Sequence, residues 1–347
     1  MIDRRQFLIA TLVVPLCAAR RTKAAPHFDR GFASVTQIAE GVYATIAKPK
    51  NGLQCYSNGG VIVGRDAVLL VEGHYQPDGA DLEIEVARSV SKAPIRGVVD
   101  THWHLDHTFG NVGYSRRAIP ILAHEQVGPL MKAAYARLND SERAARLAPW
   151  ERRLAEAISP TDKAHREGDL RQWTWVFDAI NNATMAFPTE SLATTEFPKR
   201  IELGGLTAVL EFHPGHSQTD VIIRVPERDV VFTGDLFFNH ALPVVPDANI
   251  IAWRNVIDQF LEYDERTQFV PGHGALGRKE QVREQAALMD DLRQHAERMM
   301  RAGATADEAE RRYEIPRQFR DFDILSWNFT VGGAMRTYFE ALKLLKE

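Results

Sequence analysis

The chain has 347 residues, 45% hydrophobic and 25% charged, with 23 glycines, 17 prolines and two cysteines. That composition excludes collagen-like, low-complexity and wholly disordered chains. A formal net charge of −4 leaves no basic footprint for nucleic acid, and two cysteines make neither a disulfide scaffold nor a four-thiolate zinc site.

The first 25 residues read as an address. Arg4 and Arg5 precede an apolar stretch, Phe7–Ala19, that is short for a membrane-spanning helix, and Arg20, Arg21 and Lys23 follow. Arg4-Arg5-Gln6-Phe7-Leu8 resembles the twin-arginine export motif. The expectation is a signal over 1–25 and a periplasmic or secreted chain over 26–347, with no stable membrane insertion after export. Cys17 would leave with the signal. Cys55 would then stand alone, so no intrachain disulfide is expected.

From Val35 to Val71, short β-branched runs (Val42–Ala47, Gly60–Gly64, Ala67–Val71) alternate with turn residues such as Lys50-Asn51-Gly52, a hairpin pattern. Asp81–Ser91 carries Leu82, Val86 and Val90 at helical spacing, and strands are predicted at Ile95–Val99 and Ile119–Ala123. Three helical stretches follow between 125 and 187, through Val127/Leu130/Met131/Leu138, Leu147/Trp150/Leu154/Ile158 and Leu170/Trp173/Phe177/Ile180. Strands resume at Lys199–Leu203, Thr207–Phe212, Val221–Val225, Asp229–Phe232 and Gln268–Val270. A long amphipathic helix covers Glu280–Met300, and Thr305 with Glu308 forms a capping box for another. The rhythm is mixed α/β: one catalytic domain with a helical insertion over about 125–195 and a helical tail over about 278–347.

The chemistry concentrates in Thr101-His102-Trp103-His104-Leu105-Asp106-His107, directly after the strand Ile95–Val99. Two apart on extended chain, His102 and His104 project to one side; Asp106 and His107 lie where the chain turns and face a second position. Imidazole suits zinc and iron, and the carboxylate adds a hard oxygen donor. Further candidates stand at strand ends: His216 in Phe212-His213-Pro214-Gly215-His216-Ser217, Asp235 in Phe232-Thr233-Gly234-Asp235, and His273 in Val270-Pro271-Gly272-His273.

On these residues the chain resembles the metallo-β-lactamase superfamily. His102-x-His104-x-Asp106-His107 is similar to its defining motif, and His216, Asp235 and His273 follow in the expected order and context. The resemblance covers about Ser34–Gly277 apart from the insertion. It implies an αββα sandwich with metals at one edge of its sheets. It implies that His102, His104 and His216 hold a first ion, that Asp106, His107 and His273 hold a second, and that Asp235 bridges them. His213 is the weaker alternative to His216.

The implied cofactors are two zinc ions, with iron or manganese as alternatives. The implied reaction is attack by a hydroxide held between the metals on the carbonyl of a small ester, thioester, lactone or β-lactam, with Asp106 orienting it and relaying its proton. Asp235 stands where the cysteine-ligand lactamases have their thiolate, and His104 differs from the glutamate of the diiron flavoproteins. The twin-arginine start and the Phe-Thr-Gly-Asp-Leu context are similar to exported members found beside quinoprotein dehydrogenases and sulfur-oxidation clusters. The alternative readings are a mononuclear iron oxidoreductase of the persulfide-dioxygenase kind and a non-catalytic metal- or cofactor-handling protein. The expected partner is a small-molecule substrate; oligomeric state stays open. Glu72 reads as a structural hydrogen-bonding residue, and His74 and His240 as rim or surface residues. Trp173 and Trp175 read as insert core, or as an apolar lid over the metals if that stretch is exposed.

Overall fold

The computed structural model describes residues 27–48, 57–136, 143–181, 185–241, 247–322 and 331–344. The expected signal over 1–25, Cys55 and the turn Lys50-Asn51-Gly52 lie outside these residues.

The first sheet begins with β1 (His27–Asp29), β2 (Ala33–Ala39), β3 (Val42–Ala47), β4 (Gly59–Val63) and β5 (Val68–Val71), each antiparallel to the next. Helix α1 (Pro77–Val90) then crosses over, so β6 (Ile95–Val99) runs parallel to β5. The short helices α2 (Leu105–Thr108) and α3 (Asn111–Ser115) lead to β7 (Ile121–His124). After the insertion helices α4 (Val127–Ala136), α5 (Arg143–Ala155) and α6 (Pro160–Asn181), the chain returns as β8 (Glu190–Leu192), parallel to β7. The last part of the stretch expected to be helical is therefore strand, because Glu190–Leu192 supplies the edge partner of Leu122–His124.

The second sheet holds β9 (Lys199–Glu202), β10 (Thr207–Phe212), β11 (Val221–Val225), β12 (Val230–Phe238) and β13 (Gln268–His273). Helix α7 (Ile250–Glu262) carries the chain back so that β13 lies parallel to β12. The tail follows as α8 (Lys279–Arg301), α9 (Ala306–Arg312) and α10 (Val331–Leu344). The Thr305 hydroxyl accepts from the Glu308 N–H at 3.2 Å and the Glu308 carboxylate from the Thr305 N–H at 2.9 Å, the capping box read in the sequence.

Strand alternation sets the layers. Val42, Ala44, Ile62, Leu69, Val71 and Val99 point inward and meet Leu210, Ile223, Phe232 and Val270 of the second sheet. Their neighbours Tyr43, Val61, Val68 and Leu70 point outward under Leu82, Val86 and Ala87 of α1. Trp253, Ile257 and Phe260 of α7 cover the second sheet together with Leu288, Met289 and Leu292 of α8. The result is an αββα sandwich. Among the described residues no helix is long and apolar enough to cross a membrane.

Two departures from the expected elements matter for the site. Strands β12 and β13 do not stop at Phe232 and Val270; they run on through Asp235 and His273 by shifts of register at Gly234. Asp235 therefore sits on a strand, with the rigidity that brings. Helix α7, which the expected elements leave undelimited, buries Ile250, Trp253, Val256, Ile257 and Phe260 at helical spacing.

Buried Asn58 ties the sheets at this edge. Its amide nitrogen donates to the carbonyls of Pro271 (2.9 Å) and Gly274 (2.8 Å), and its oxygen accepts from the Ala47 N–H (2.8 Å). Asn58→Ala leaves three backbone groups without partners and is expected to lower unfolding free energy by roughly 2–4 kcal/mol in a denaturant titration.

Candidate metal centre

The site lies where β5, β6, β12 and β13 end or bend. His102 and His104 are on the extended segment after β6, and Asp106 and His107 on the first turn of α2, so one short run serves two positions. His216 comes from the loop between β10 and β11. Asp220 shapes that loop, accepting from the N–H groups of Gly215 (2.9 Å) and Ser217 (2.7 Å) and from the Ser217 hydroxyl (2.7 Å).

These side chains form two groups able to hold a metal ion. One is His102, His104, His216 and Asp235, the other Asp106, His107, Asp235 and His273, with the ligand atoms of each group within 4.8 Å of one another. Asp235 belongs to both. Its Oδ2 faces His216 Nε2 at 3.4 Å and His102 Nε2 at 3.9 Å, while its Oδ1 faces His107 Nε2 at 3.1 Å and His273 Nε2 at 3.4 Å. Asp106 Oδ2 lies 3.1 Å from His273 Nε2.

Two further contacts set ring nitrogen near ring nitrogen: His216 Nε2 is 2.9 Å from His104 Nδ1, and His107 Nε2 is 3.4 Å from His273 Nε2. Buried His102 Nε2 has no hydrogen-bond partner. Nitrogen and carboxylate donors converging in two groups, with a buried imidazole nitrogen left unpartnered, suit a cation at each focus, so the residues fit a pair of metal ions.

The electrostatics agree with that fit. Burial, with neighbouring histidines, holds His102 well below the usual imidazole range, and burial brings His216 down to about 3, so both stay neutral donors. Burial also opposes charge on His107 and His273, but the carboxylates of Asp235 and Asp106, with Glu72 at His107, outweigh it. His107 lies well above the ordinary range and His273 at about 9. Burial pushes Asp106 and Asp235 up, yet the histidines pull both well below the carboxylate range. Carboxylates that hold protons on two imidazoles would hold a divalent cation there instead.

A further layer fixes the rings. Glu72 accepts from the Thr101 N–H (3.2 Å) and hydroxyl (2.7 Å), and its carboxylate lies 2.9 Å from His107 Nδ1. The same Thr101 oxygen is 3.0 Å from His102 Nδ1, which assigns the proton to Nδ1 and turns Nε2 inward. Glu72 adopts φ +89°, strained for a side-chain-bearing residue. Opposite, Gly234 at φ +51° passes so close to Thr101 that a Cβ would lie 2.5 Å from its hydroxyl.

Other expected residues lie elsewhere. His74 is not at the rim: it is buried, with Nε2 3.1 Å from Glu83 Oε1 and Nδ1 3.2 Å from the Ser57 carbonyl, because the loop turns inward at φ +59°. Exposed His240 pairs with Glu284 at 3.2 Å and packs on Phe322, towards the helical tail. His213 pairs with Glu211 at 3.4 Å and belongs to neither group. Trp173 stacks on Trp150 and packs against Phe177 within the insertion, and the side chain of Trp175 lies outside the described residues. Asp247, with no motif to mark it in the sequence, accepts from His104 Nε2 at 3.0 Å.

Fold and site together define a metallo-β-lactamase type of sandwich. The family model "Metallo-beta-lactamase superfamily" matches residues 52–273, well over half of the chain, and the chain belongs to that family. The metallo-beta-lactamase from Pontibacter korlensis is similar in fold, with TM-score 0.52 and 18% identity over 75% of this chain and 99% of that one. A metallo-beta-lactamase from Erythrobacter litoralis gives TM-score 0.50 and 16% identity over 77% of this chain and all of that one. An uncharacterised protein of Mycobacterium tuberculosis is 32% identical over 83 residues, which is 22% of this chain and 37% of the relative. The chain thus matches little more than a third of that curated relative's length.

Glu72→Gln removes the charge beside His107 and is expected to weaken metal binding at that group about ten- to a hundredfold, measured with added zinc as the probe in competition with a chromophoric chelator.

Proposed function

We propose that the protein is an exported dinuclear zinc hydrolase, delivered by a twin-arginine signal over 1–25. It would act on the carbonyl of a small ester, thioester, lactone or β-lactam. Its style is that of the exported members found beside quinoprotein dehydrogenases and sulfur-oxidation clusters. One observation carries the dinuclear reading: the two oxygens of Asp235 are divided between the two groups of histidines.

His102, His104 and His216 would hold one ion, Asp106, His107 and His273 the other, with Asp235 between them. Two zinc ions would supply Lewis acidity to the substrate carbonyl and lower the pKa of a water at the site. The protein's own part is positional and electrostatic. Thr101 and Glu72 lock His102 and His107, so the donors need little reorganisation. Asp106 is ionised and 25% exposed at its side chain; it would take the proton of the attacking water and return it to the leaving group. Neutral His102 and His216 add no positive charge that would repel the ions.

The test is a panel of chromogenic esters, thioesters, lactones and β-lactams with the zinc-loaded protein. Hydrolysis of at least one class, lost with chelation and restored by zinc, is expected. His102→Ala and Asp235→Ala should each lower kcat/KM by about a hundredfold or more, with less than the full metal content per chain. One iron per chain with oxygen uptake, and no hydrolysis, would replace this reading with the oxidoreductase one.

A further inference from the structure

Tyr114 of α3 is 0% exposed, and a hydroxyl buried so deeply costs free energy unless a partner uses it. It donates to the main-chain carbonyl of Glu72 at 3.0 Å. That carbonyl belongs to the residue at φ +89° whose carboxylate accepts from Thr101 and lies 2.9 Å from His107 Nδ1. The Glu72 N–H donates to the Val99 carbonyl at 2.9 Å, so the strained residue is held on both sides. A second acceptor competes for the Tyr114 proton: Glu83 Oε2 of α1, at 3.2 Å. The other oxygen of buried Glu83 decides that competition. Its Oε1 accepts from the Thr45 hydroxyl at 2.7 Å and faces His74 Nε2 at 3.1 Å. His74 turns Nδ1 to the Ser57 carbonyl at 3.2 Å, so both ring nitrogens face acceptors and the ring carries two protons. Burial opposes that charge, and the Glu83 carboxylate outweighs it. The imidazolium and Thr45 draw the Glu83 charge towards Oε1, which leaves the Tyr114 proton to the nearer Glu72 carbonyl. Two glycines clear the space for this pair. A Cβ on Gly59 would lie 2.8 Å from His74 Cε1, and one on Gly79 would lie 2.7 Å from its Cγ.

We propose that Tyr114, backed by the Glu83–His74 pair, is a positioning residue of the metal centre: it fixes the strained Glu72 backbone and so aims the Glu72 carboxylate at Thr101 and His107. The proposal rests on the reading of these histidines and aspartates as a metal centre and on no particular substrate. A buried ion pair adds little stability over apolar residues of the same size. The use of Glu83 and His74 is therefore to orient. Through Tyr114 their influence reaches Glu72, and through Glu72 it reaches Thr101 and His107.

The experiment is a double-mutant cycle on zinc affinity, read by titrating the metal-free chain against a chromophoric chelator. It compares the wild type, Tyr114→Phe, Glu72→Ala and the two combined. Tyr114→Phe, which removes one oxygen and little volume, should weaken zinc binding about tenfold, the low end for a partner that orients a ligand. Added to Glu72→Ala it should cost nothing further, because its effect passes through the carboxylate already removed. A second measurement needs no metal: the ring nitrogen resonances of His107 in the metal-free chain should shift in Tyr114→Phe, while those of His295 on α8 stay in place. Full zinc affinity in Tyr114→Phe, or a loss that adds in full to that of Glu72→Ala, overturns the proposal, whatever happens to the melting temperature. Unmoved His107 resonances overturn it as well. If the wild type binds no zinc, the metal reading falls and the resonances alone decide whether Tyr114 positions His107. Zinc bound with the coupling stated, and no substrate of the panel cleaved, removes the hydrolase reading and keeps the positioning role.

Discussion

The structure depends on one electrostatic constraint: a buried carboxylate, Asp235, shared by two sets of imidazoles. Ring nitrogens face one another at 2.9 Å and 3.4 Å within the site, and buried His102 Nε2 has no hydrogen-bond partner, which costs free energy until something positive reaches it. Protons do part of that work, on His107 and His273. A divalent cation would do it better, because it can answer several donors at once. Whatever fills the centre must hold the ends of four strands in place.

The fold supplies that restraint in several layers. Asn58 pins the β13 end to the first sheet through three hydrogen bonds. Thr101 joins Glu72 to His102, and Glu72 joins the end of β5 to His107, so a strained residue just after one strand sets the ring orientation of histidines that follow the next. Gly234 lets the second sheet come close enough for Asp235 to reach both groups. The insertion adds a contact of its own: Tyr135 Oη lies 3.3 Å from Thr108 Oγ1, which donates to the His104 carbonyl at 2.9 Å. Strain at Glu72 is stable only because so many neighbours fix its position.

The run His102–His107 was legible because its geometry is local: an extended pair followed by a helical turn needs only adjacent residues. Strands such as Val42–Ala47, Ile95–Val99, Thr207–Phe212 and Val221–Val225 were readable for the same reason, their burial following their pattern. What escaped depends on distant partners. Asp247 meets His104 across 143 positions and Asn58 meets Gly274 across 216, and no short window contains either pair. His74 looked like a rim residue because glycine and histidine in a loop suggest exposure, but Glu83 on α1 offers a buried partner that outweighs burial. Strands β12 and β13 outrun their expected ends because Gly-Asp and Pro-Gly-His mark turns as often as bulges. Helix α7 had a readable stripe, Ile250, Trp253, Val256, Ile257 and Phe260, that a search for strands passes over.

Helix α4 divides its residues between two environments. Val127, Met131 and Tyr135 are buried in one apolar cluster with Tyr75, Phe109 and Ala123, and Ala134 packs against that cluster from the side. Leu130 is half-buried and Ala133 exposed. Substitution at the buried positions should cost stability and substitution at Ala133 little, so tolerance along this helix should follow the helical period.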